Sequence, residues 1–274
     1  MHKSNPIGIF DSGYGGLTIL QSIKKNLPDY DYLYLGDNAR APYGDRSFEV
    51  VYQYTLDAVK FLFNQGCSLV IVACNTSSAK ALRSIQQKDL EKIAPNKRVL
   101  GVIRPCVEEL AENKKINSVG IIGTLGTISS NSYGLEIEKY APKIKYVQHA
   151  CPLWVPLIEN EKQESDYGKE IIKNDLSILL QKSPNIDTLV LACTHYPILK
   201  PILKDFLPKN IDVLSQGPIV AKKLEEYLNN HPEIDEACSK NSTTLFMTSE
   251  KERIFNQVAG KIMNSSISAK SISF

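Results

Sequence analysis

Short runs of β-branched apolar residues alternate along the chain with longer segments in which apolar positions recur every three or four residues. The first pattern is typical of buried strands and the second of amphipathic helices. Because parallel strands are joined through helices, the alternation predicts an α/β fold with mostly parallel sheets. The predicted strands are at 7–10, 31–37, 68–74, 99–103, 143–148, 187–193, 211–214 and 244–247, with one more starting at 119. The predicted helices are at 18–27, 47–63, 77–87, 107–113, 167–180, 218–228 and 250–263.

Three further segments are predicted to lack regular structure. An apolar loop is expected at 150–160, because two prolines, Pro152 and Pro156, fall within it. The polar stretch 229–242 is expected to be a surface excursion, and the serine-rich residues after 263 are expected to fray.

Two of the predicted strands end in the same way. The runs 68–74 and 187–193 both finish in Ala-Cys, and small hydroxyl or amide residues follow each cysteine. Ligands of open α/β sheets bind outside the carboxyl ends of the strands, so Cys74 and Cys193 are candidate site residues. The alternative for any free cysteine is a buried apolar filler, which is what we expect of Cys67, Cys106 and Cys238.

A second pair of segments repeats in the same order. Residues 7–18 and 119–128 both read as a strand followed by glycine and hydroxyl residues that lead into a helix. The two pairs have similar separations along the chain, which indicates an internal duplication, although chance similarity of apolar strands would look alike. We therefore expect two pseudo-symmetric doubly wound domains with the active site in the cleft between them. One would comprise 1–98 plus 206–274, and the other 99–205.

The bulk composition excludes several classes of function. A formal net charge of +2 over 274 residues provides no field suited to nucleic acid, and no apolar stretch is long enough to span a membrane. Residues 1–6 are polar and lack the apolar core of a secretory signal, so we expect a cytoplasmic protein. The six cysteines form no CxxC pair and have no histidines at zinc-ligand spacing, so we expect free thiols and no metal site.

Two thiols that met across a cleft could remove a proton from one face of a carbon and return one to the other face. A thiol suits this task because its ordinary pKa of about 8.5 lies close to neutral pH. The candidate assisting groups are Asp11, Glu159 and His195. Each has a plainer alternative: a helix cap for Asp11, a surface charge for Glu159 and a structurally satisfied histidine for His195.

Five ordered motifs make the chain resemble bacterial glutamate racemases of the aspartate/glutamate racemase superfamily. They are Asp11-Ser12-Gly13-Tyr14-Gly15-Gly16-Leu17, Gly36-Asp37-Asn38-Ala39-Arg40-Ala41-Pro42-Tyr43-Gly44, Ala73-Cys74-Asn75-Thr76-Ser77-Ser78-Ala79, Cys151-Pro152-Leu153-Trp154-Val155-Pro156-Leu157-Ile158-Glu159 and Ala192-Cys193-Thr194-His195-Tyr196-Pro197. The resemblance is weaker after Pro201, and the segment around Ser215-Gln216 lacks the Asp-Ser that is usual there.

The resemblance implies a cofactor-independent enzyme that interconverts L- and D-glutamate with two thiols and supplies D-glutamate for peptidoglycan. It implies that Cys74 and Cys193 are the catalytic pair, assisted by Asp11, Glu159 and His195. It further implies a homodimer and a substrate site formed by Asp11, Ser12, Pro42, Tyr43, Gly44, Asn75, Thr76, Thr124, Thr127, Thr194 and His195.

Other readings stay open at this stage. The same scaffold could racemize aspartate or another amino acid. A hydrolase that uses Cys193 with His195 is disfavoured, because neighbouring residues at a strand end seldom bring a histidine to the sulfur, and because Cys74 would have no task. A non-catalytic small-acid binding protein with two inert, buried thiols is the remaining alternative.

Overall fold

The computed structural model describes residues 5–274. The prediction that residues 1–6 carry no secretory signal rests in part on residues 1–4, which lie outside this range. The strands are β1 (Ile7–Asp11), β2 (Tyr32–Gly36), β3 (Leu69–Val72), β4 (Arg98–Gly101), β5 (Ser118–Gly123), β6 (Lys145–Ala150), β7 (Thr188–Ala192), β8 (Asp212–Ser215), β9 (Thr244–Thr248) and β10 (Ala269–Ser271).

The helices of the described residues surround these strands. They are α1 (Leu17–Asn26), α2 (Phe48–Asn64), α3 (Asn75–Lys80), α4 (Leu82–Ser84), α5 (Leu90–Ile93), α6 (Ile103–Glu112), α7 (Leu125–Ser129), α8 (Ser132–Tyr140), α9 (Trp154–Glu159), α10 (Asp166–Lys182), α11 (Lys200–Phe206), α12 (Gln216–Asn230), α13 (Pro232–Ala237) and α14 (Glu252–Met263), with a π-helical turn at Ile85–Asp89 and 3₁₀ turns at Asn38–Arg40 and Tyr196–Leu199. None of the helices within 5–274 combines the length and apolar character needed to cross a bilayer.

Two parallel sheets carry the fold. The first has the strand order β10-β9-β2-β1-β3-β4 and the second the order β6-β5-β7-β8. Every paired strand of the described residues runs parallel to its neighbour. The order β2-β1-β3-β4 matches β6-β5-β7-β8 strand for strand. The predicted fold class is confirmed, and the repeated order is what an internal duplication would produce.

The chain crosses between the sheets twice. Strand β4, which ends at Gly101, belongs to the first sheet, and strand β8, which begins at Asp212, belongs to the second. Helix α12 then returns to pack against α1 beside the first sheet. The predicted domain division, 1–98 plus 206–274 and 99–205, stays a prediction, and the strand pairing places the first crossover after Gly101 and the second after Ser215.

Alternate residues of each strand enter opposite faces of its sheet. In β1, Ile7 and Ile9 pack in one buried cluster with α1 and α12, whereas Phe10 packs in another with α2. The second sheet likewise has a buried cluster on each face. Strands covered on both faces read as continuous apolar runs, which is why they could be predicted.

Four local predictions are wrong. Residues 154–159 form helix α9 instead of a loop, because Pro156 lies in the first turn, where an N–H has no partner within the helix in any case. For the same reason Pro105 is accommodated in α6, which takes over residue 103 from the predicted strand. The excursion at 229–242 contains α13, which buries Ile234. The tail adds β10 to the first sheet through pairing with β9.

Candidate active site

Both singled-out cysteines lie at the carboxyl ends of central strands. Cys74 follows β3 at the N-cap position of α3, and Cys193 follows β7. They are 5% and 6% exposed, and both line one narrow cavity of about 50 Å³. Because β3 belongs to the first sheet and β7 to the second, the cavity receives one thiol from each half of the molecule.

The surroundings of Cys74 act on its thiol in opposite directions. Burial, with the nearby charge of Asp11, raises the pKa of the Cys74 thiol to about 11. The Ser12 hydroxyl lies 3.4 Å from Cys74 Sγ, and the groups of Ser77, in the first turn of α3, also favour the thiolate. The N-cap position therefore supplies donors to a thiolate without making it the resting form.

Asp11 is buried directly behind the cavity. Its carboxylate accepts hydrogen bonds from the Gly13 backbone N–H at 3.1 Å and from Thr194 Oγ1 at 3.2 Å. Burial raises the pKa of Asp11, while the charge of His195 and the hydrogen bonds oppose that rise. The N-cap of α1 is Gly16, so Asp11 is not the simple helix cap that the sequence allowed.

Cys193 is paired with a histidine two residues away. His195 Nδ1 lies 4.0 Å from Cys193 Sγ, and His195 Nε2 lies 3.1 Å from Glu159 Oε1. Burial lowers the pKa of His195, but its hydrogen bonds to Cys193 and Glu159 outweigh this and raise the pKa to about 10. The expectation that His195 would not reach its neighbour's sulfur is therefore wrong.

Most of the predicted substrate-binding residues line the same cavity as the thiols. These are Ser12, Pro42, Tyr43, Gly44, Asn75, Thr76, Thr124, Thr194 and His195. Three predicted residues stand behind the lining and bond to it: Asp11 to Thr194, Glu159 to His195, and Thr127 to both Thr76 and Thr124. Pro152, Val155 and Pro156 close one side of the cavity.

Hydroxyl groups from both halves meet at the rim. Thr76 Oγ1 lies 2.9 Å from Thr124 Oγ1, which is the N-cap of α7, and 3.4 Å from Thr127 Oγ1. A Cβ on Gly44 would lie 3.1 Å from Thr124 Cβ, so glycine permits this close approach. An anionic ligand that displaced one of these mutual hydrogen bonds would meet hydroxyl donors from both halves.

Three residues near the site, Asp37, Gln216 and Tyr133, were missed as functional candidates. Tyr43 donates a hydrogen bond to Asp37, which also accepts from Arg40. Asp37 lies inside a motif that was singled out, so its position was available from the sequence. Gln216 and Tyr133 bond to Asn75 from segments far along the chain. No periodicity or motif marks Tyr133, and Gln216 stood out only because its segment departs from the family pattern.

One cluster outside the site has metal-ligating residue types. Atoms of His149, Cys151 and Asp175 lie within 4.8 Å of one another. The Asp175 carboxylate already accepts hydrogen bonds from His149 Nε2 at 2.9 Å and Trp154 Nε1 at 2.7 Å, and burial raises the pKa of the Cys151 thiol. The cluster is a satisfied hydrogen-bond network.

A larger cavity of about 820 Å³ lies between α4, α6, α8 and α12 and is lined by neither singled-out thiol.

Known racemases resemble this chain over most of its length. A family model for Asp/Glu/hydantoin racemases matches residues 15–224. A glutamate racemase from Ruegeria pomeroyi is 39% identical over 238 residues, which cover 82% of this chain and 86% of that protein. The crystal structure of a glutamate racemase isoform from Bacillus anthracis superposes with a TM-score of 0.89 at 32% identity and covers 100% of this chain and 99% of that one. The Francisella tularensis glutamate racemase in complex with D-glutamate gives 0.86 at 32% identity, with 99% and 98% covered.

Proposed function

Since the chain belongs to the Asp/Glu/hydantoin racemase family, and to the glutamate racemases within it, we propose that Cys74 and Cys193 interconvert L- and D-glutamate as a two-thiol acid/base pair. The observation that carries the proposal is the single narrow cavity lined by both thiols, one from each half of the molecule. This arrangement suits a reaction that removes a proton from one face of a carbon and adds one to the other.

The proton balance of the reaction is simple. One cysteine, as thiolate, takes the α-proton and becomes a thiol, while the opposite thiol donates its proton to the other face of the carbanion and becomes the thiolate. The barrier falls through positioning and through electrostatic stabilisation of the developing charge, each worth several kcal/mol. His195 supports Cys193 from 4.0 Å away, and Ser12 supports Cys74 from 3.4 Å.

The substrate's two carboxylates would lie against the hydroxyl and amide donors of the lining. Thr76 and Thr124 face the cavity from different halves, and Asn75 adds a side-chain amide. Asp11 keeps Thr194 in place, because the Thr194 hydroxyl donates its hydrogen bond to the Asp11 carboxylate. These contacts support binding of a small amino acid with two acidic ends.

The wider role follows from the family resemblance. We propose that the enzyme supplies D-glutamate for peptidoglycan synthesis and acts as a homodimer. We place it in the cytoplasm. The state of the cysteines supports a reducing compartment, because Cys67, Cys74, Cys106, Cys151, Cys193 and Cys238 are all free thiols.

The test follows the α-proton of L-glutamate by NMR in deuterium oxide. The wild-type chain should exchange this proton and produce D-glutamate. Cys74→Ala and Cys193→Ala should each lower racemization by at least roughly 100-fold, the low end of what a positioned acid or base contributes. A single mutant could still exchange the proton of one enantiomer, because one thiol remains.

The matched control is Cys106→Ala, since Cys106 is buried but does not line the cavity. Either active-site variant with near wild-type interconversion would exclude the two-thiol mechanism. Faster turnover of aspartate than of glutamate by the wild type would overturn the substrate assignment.

A further inference from the structure

Both crossovers between the sheets meet at one buried side chain, Gln216. Val102 directly follows β4 at the first crossover, and Gln216 directly follows β8 at the second. Gln216 Nε2 donates to the Val102 carbonyl at 3.2 Å and to Tyr133 Oη at 2.6 Å, while Gln216 Oε1 accepts from Asn75 Nδ2 at 2.6 Å. Tyr133 Oη in turn donates to Asn75 Oδ1 at 2.8 Å.

The Val102 carbonyl determines the direction of every bond in this network. A carbonyl only accepts, so the end of Gln216 that faces Val102 must be its NH₂ group. The other end, Oε1, then faces Asn75, which must donate to it with its own NH₂ group. Since an amide orientation is deduced from its partners, this fixed acceptor determines the orientations of the Gln216 and Asn75 side-chain amides.

The Asn75 side chain has one donor left over. Its Oδ1 is occupied by the Tyr133 hydroxyl and lies 3.2 Å from Gln216 Nε2, and one hydrogen of its Nδ2 serves Gln216 Oε1. The second hydrogen of Nδ2 has no acceptor in the bonds found among residues 5–274. Asn75 lines the cavity next to Cys74.

We propose that Gln216 is a positioning residue: together with Tyr133 it holds the Asn75 amide so that Asn75 offers the substrate a hydrogen-bond donor and not an acceptor. The inference rests on the proposed racemization of glutamate. A donor at this position selects a carboxylate oxygen of the substrate and disfavours its ammonium group. Gln216 thereby determines the orientation of the substrate without touching it.

The test compares two Gln→Leu variants. Gln216→Leu leaves Asn75 free to turn its carbonyl toward the cavity. Gln86→Leu is the matched control, because Gln86 Nε2 also donates to a backbone carbonyl, that of Val99 at 2.7 Å, but does not touch the cavity lining. Gln216→Leu should raise the KM for both enantiomers and the Kd for D-glutamate by roughly tenfold or more, with kcat changed far less. The control should leave all three values within about twofold, well under the tenfold that 1.4 kcal/mol represents.

A double-mutant cycle separates positioning from general damage. In an Asn75→Ala background the Gln216→Leu change should leave the Kd for D-glutamate nearly unaltered, because no amide remains to be oriented. Equal effects of Gln216→Leu in the two backgrounds would overturn the proposal. Alkylation of Cys74 by iodoacetamide, without glutamate, should proceed at the wild-type rate in Gln216→Leu.

Tyr133→Phe keeps the test decisive if Gln216→Leu does not fold. It removes the hydroxyl that donates to Asn75 Oδ1 and accepts from Gln216 Nε2, and it should raise the KM several-fold with little change in kcat. An unchanged KM in Tyr133→Phe, or in a folded Gln216→Leu chain, refutes the positioning role while racemization by the wild type still stands. A wild-type chain that does not racemize glutamate refutes the proposed function, and with it this inference.

Discussion

Replacing Glu159 with glutamine should lower the pKa of His195 and move the alkaline limb of the racemization rate to lower pH. His195 Nε2 lies 3.1 Å from Glu159 Oε1, and burial would by itself lower the pKa of His195. Its hydrogen bonds to Cys193 and Glu159 nevertheless raise that pKa to about 10. Glutamine keeps an acceptor oxygen at this position but removes the charge.

The size of the shift follows from the charge that is lost, since glutamine keeps the hydrogen bond. A hydrogen bond to a charged group contributes about 1.5–3 kcal/mol and a neutral one about 0.5–1.5 kcal/mol, so the exchange costs roughly 1–1.5 kcal/mol. At 1.36 kcal/mol per pKa unit, this lowers the pKa of His195 by about one unit. The Glu159 side chain is 32% exposed, so water screens its charge and we expect no larger shift. The alkaline limb should therefore move from near 10 to roughly 9.

The shift of the alkaline limb toward lower pH agrees with the pKa values of the neighbouring groups. The pKa of the Cys74 thiol is raised to about 11, above that of His195, so His195 should lose its proton first as the pH rises. A folded-state pKa above the ordinary 6.5 contributes stability that is complete below about 6.5 and is lost as the pH rises through about 10. Glu159→Gln should lower the upper pH limit up to which protonated His195 contributes this stability.

The assay is the pH dependence of kcat/KM, followed by circular dichroism as L-glutamate loses its optical activity. Glu161→Gln is the control, since Glu161 is exposed and pairs with Lys261 instead of His195. The control should keep the wild-type limb. Coincident alkaline limbs for Glu159→Gln and the wild type would refute the assignment of His195 as the group that Glu159 keeps protonated.

Two further variants test the rim and the core. Thr76→Val removes the hydroxyl 2.9 Å from Thr124 Oγ1 and should raise the KM for glutamate about five- to tenfold, the cost of roughly one hydrogen bond. Thr55→Val, whose hydroxyl donates to Val51 O within α2, should leave the KM unchanged. Equal KM values in the two variants would contradict the role of Thr76. Leu20→Ala truncates a fully buried side chain in α1 and should lower the free energy of unfolding by about 2–5 kcal/mol in urea titrations, whereas a loss below roughly 1 kcal/mol would show that α1 is loosely packed.

The strands that carry the thiols could be predicted because burial on both faces leaves a plain signal. Runs such as Leu69–Val72 have no polar alternation, and each is followed by a turn into a helix or 3₁₀ segment. The repeated strand order then explains why Cys74 and Cys193 occupy equivalent places in the two halves. Their placement on one cavity required only that the two halves face each other.

Proline and short strands account for the local errors. Pro156 was read as a helix breaker, although a proline in the first turn gives up a hydrogen bond that the helix never had. The three residues of β10 have little apolar character, so they carry no strand pattern of their own. Their pairing with β9 and the hydrogen bond from Ala269 N to Asn256 Oδ1 provide the order that local sequence does not.

Residue types alone do not predict which end of the Asn75 amide faces the cavity. The motif containing Asn75 predicts an amide beside Cys74, but an amide offers a donor at one end and an acceptor at the other. Which end faces the cavity depends on Gln216, which is 141 positions away, and on the carbonyl of Val102. A chain with the same cysteine motif and an apolar residue at 216 would keep the thiols and lose the constraint on Asn75. The selectivity of this site therefore depends on the two crossovers being adjacent, which is a property of the fold.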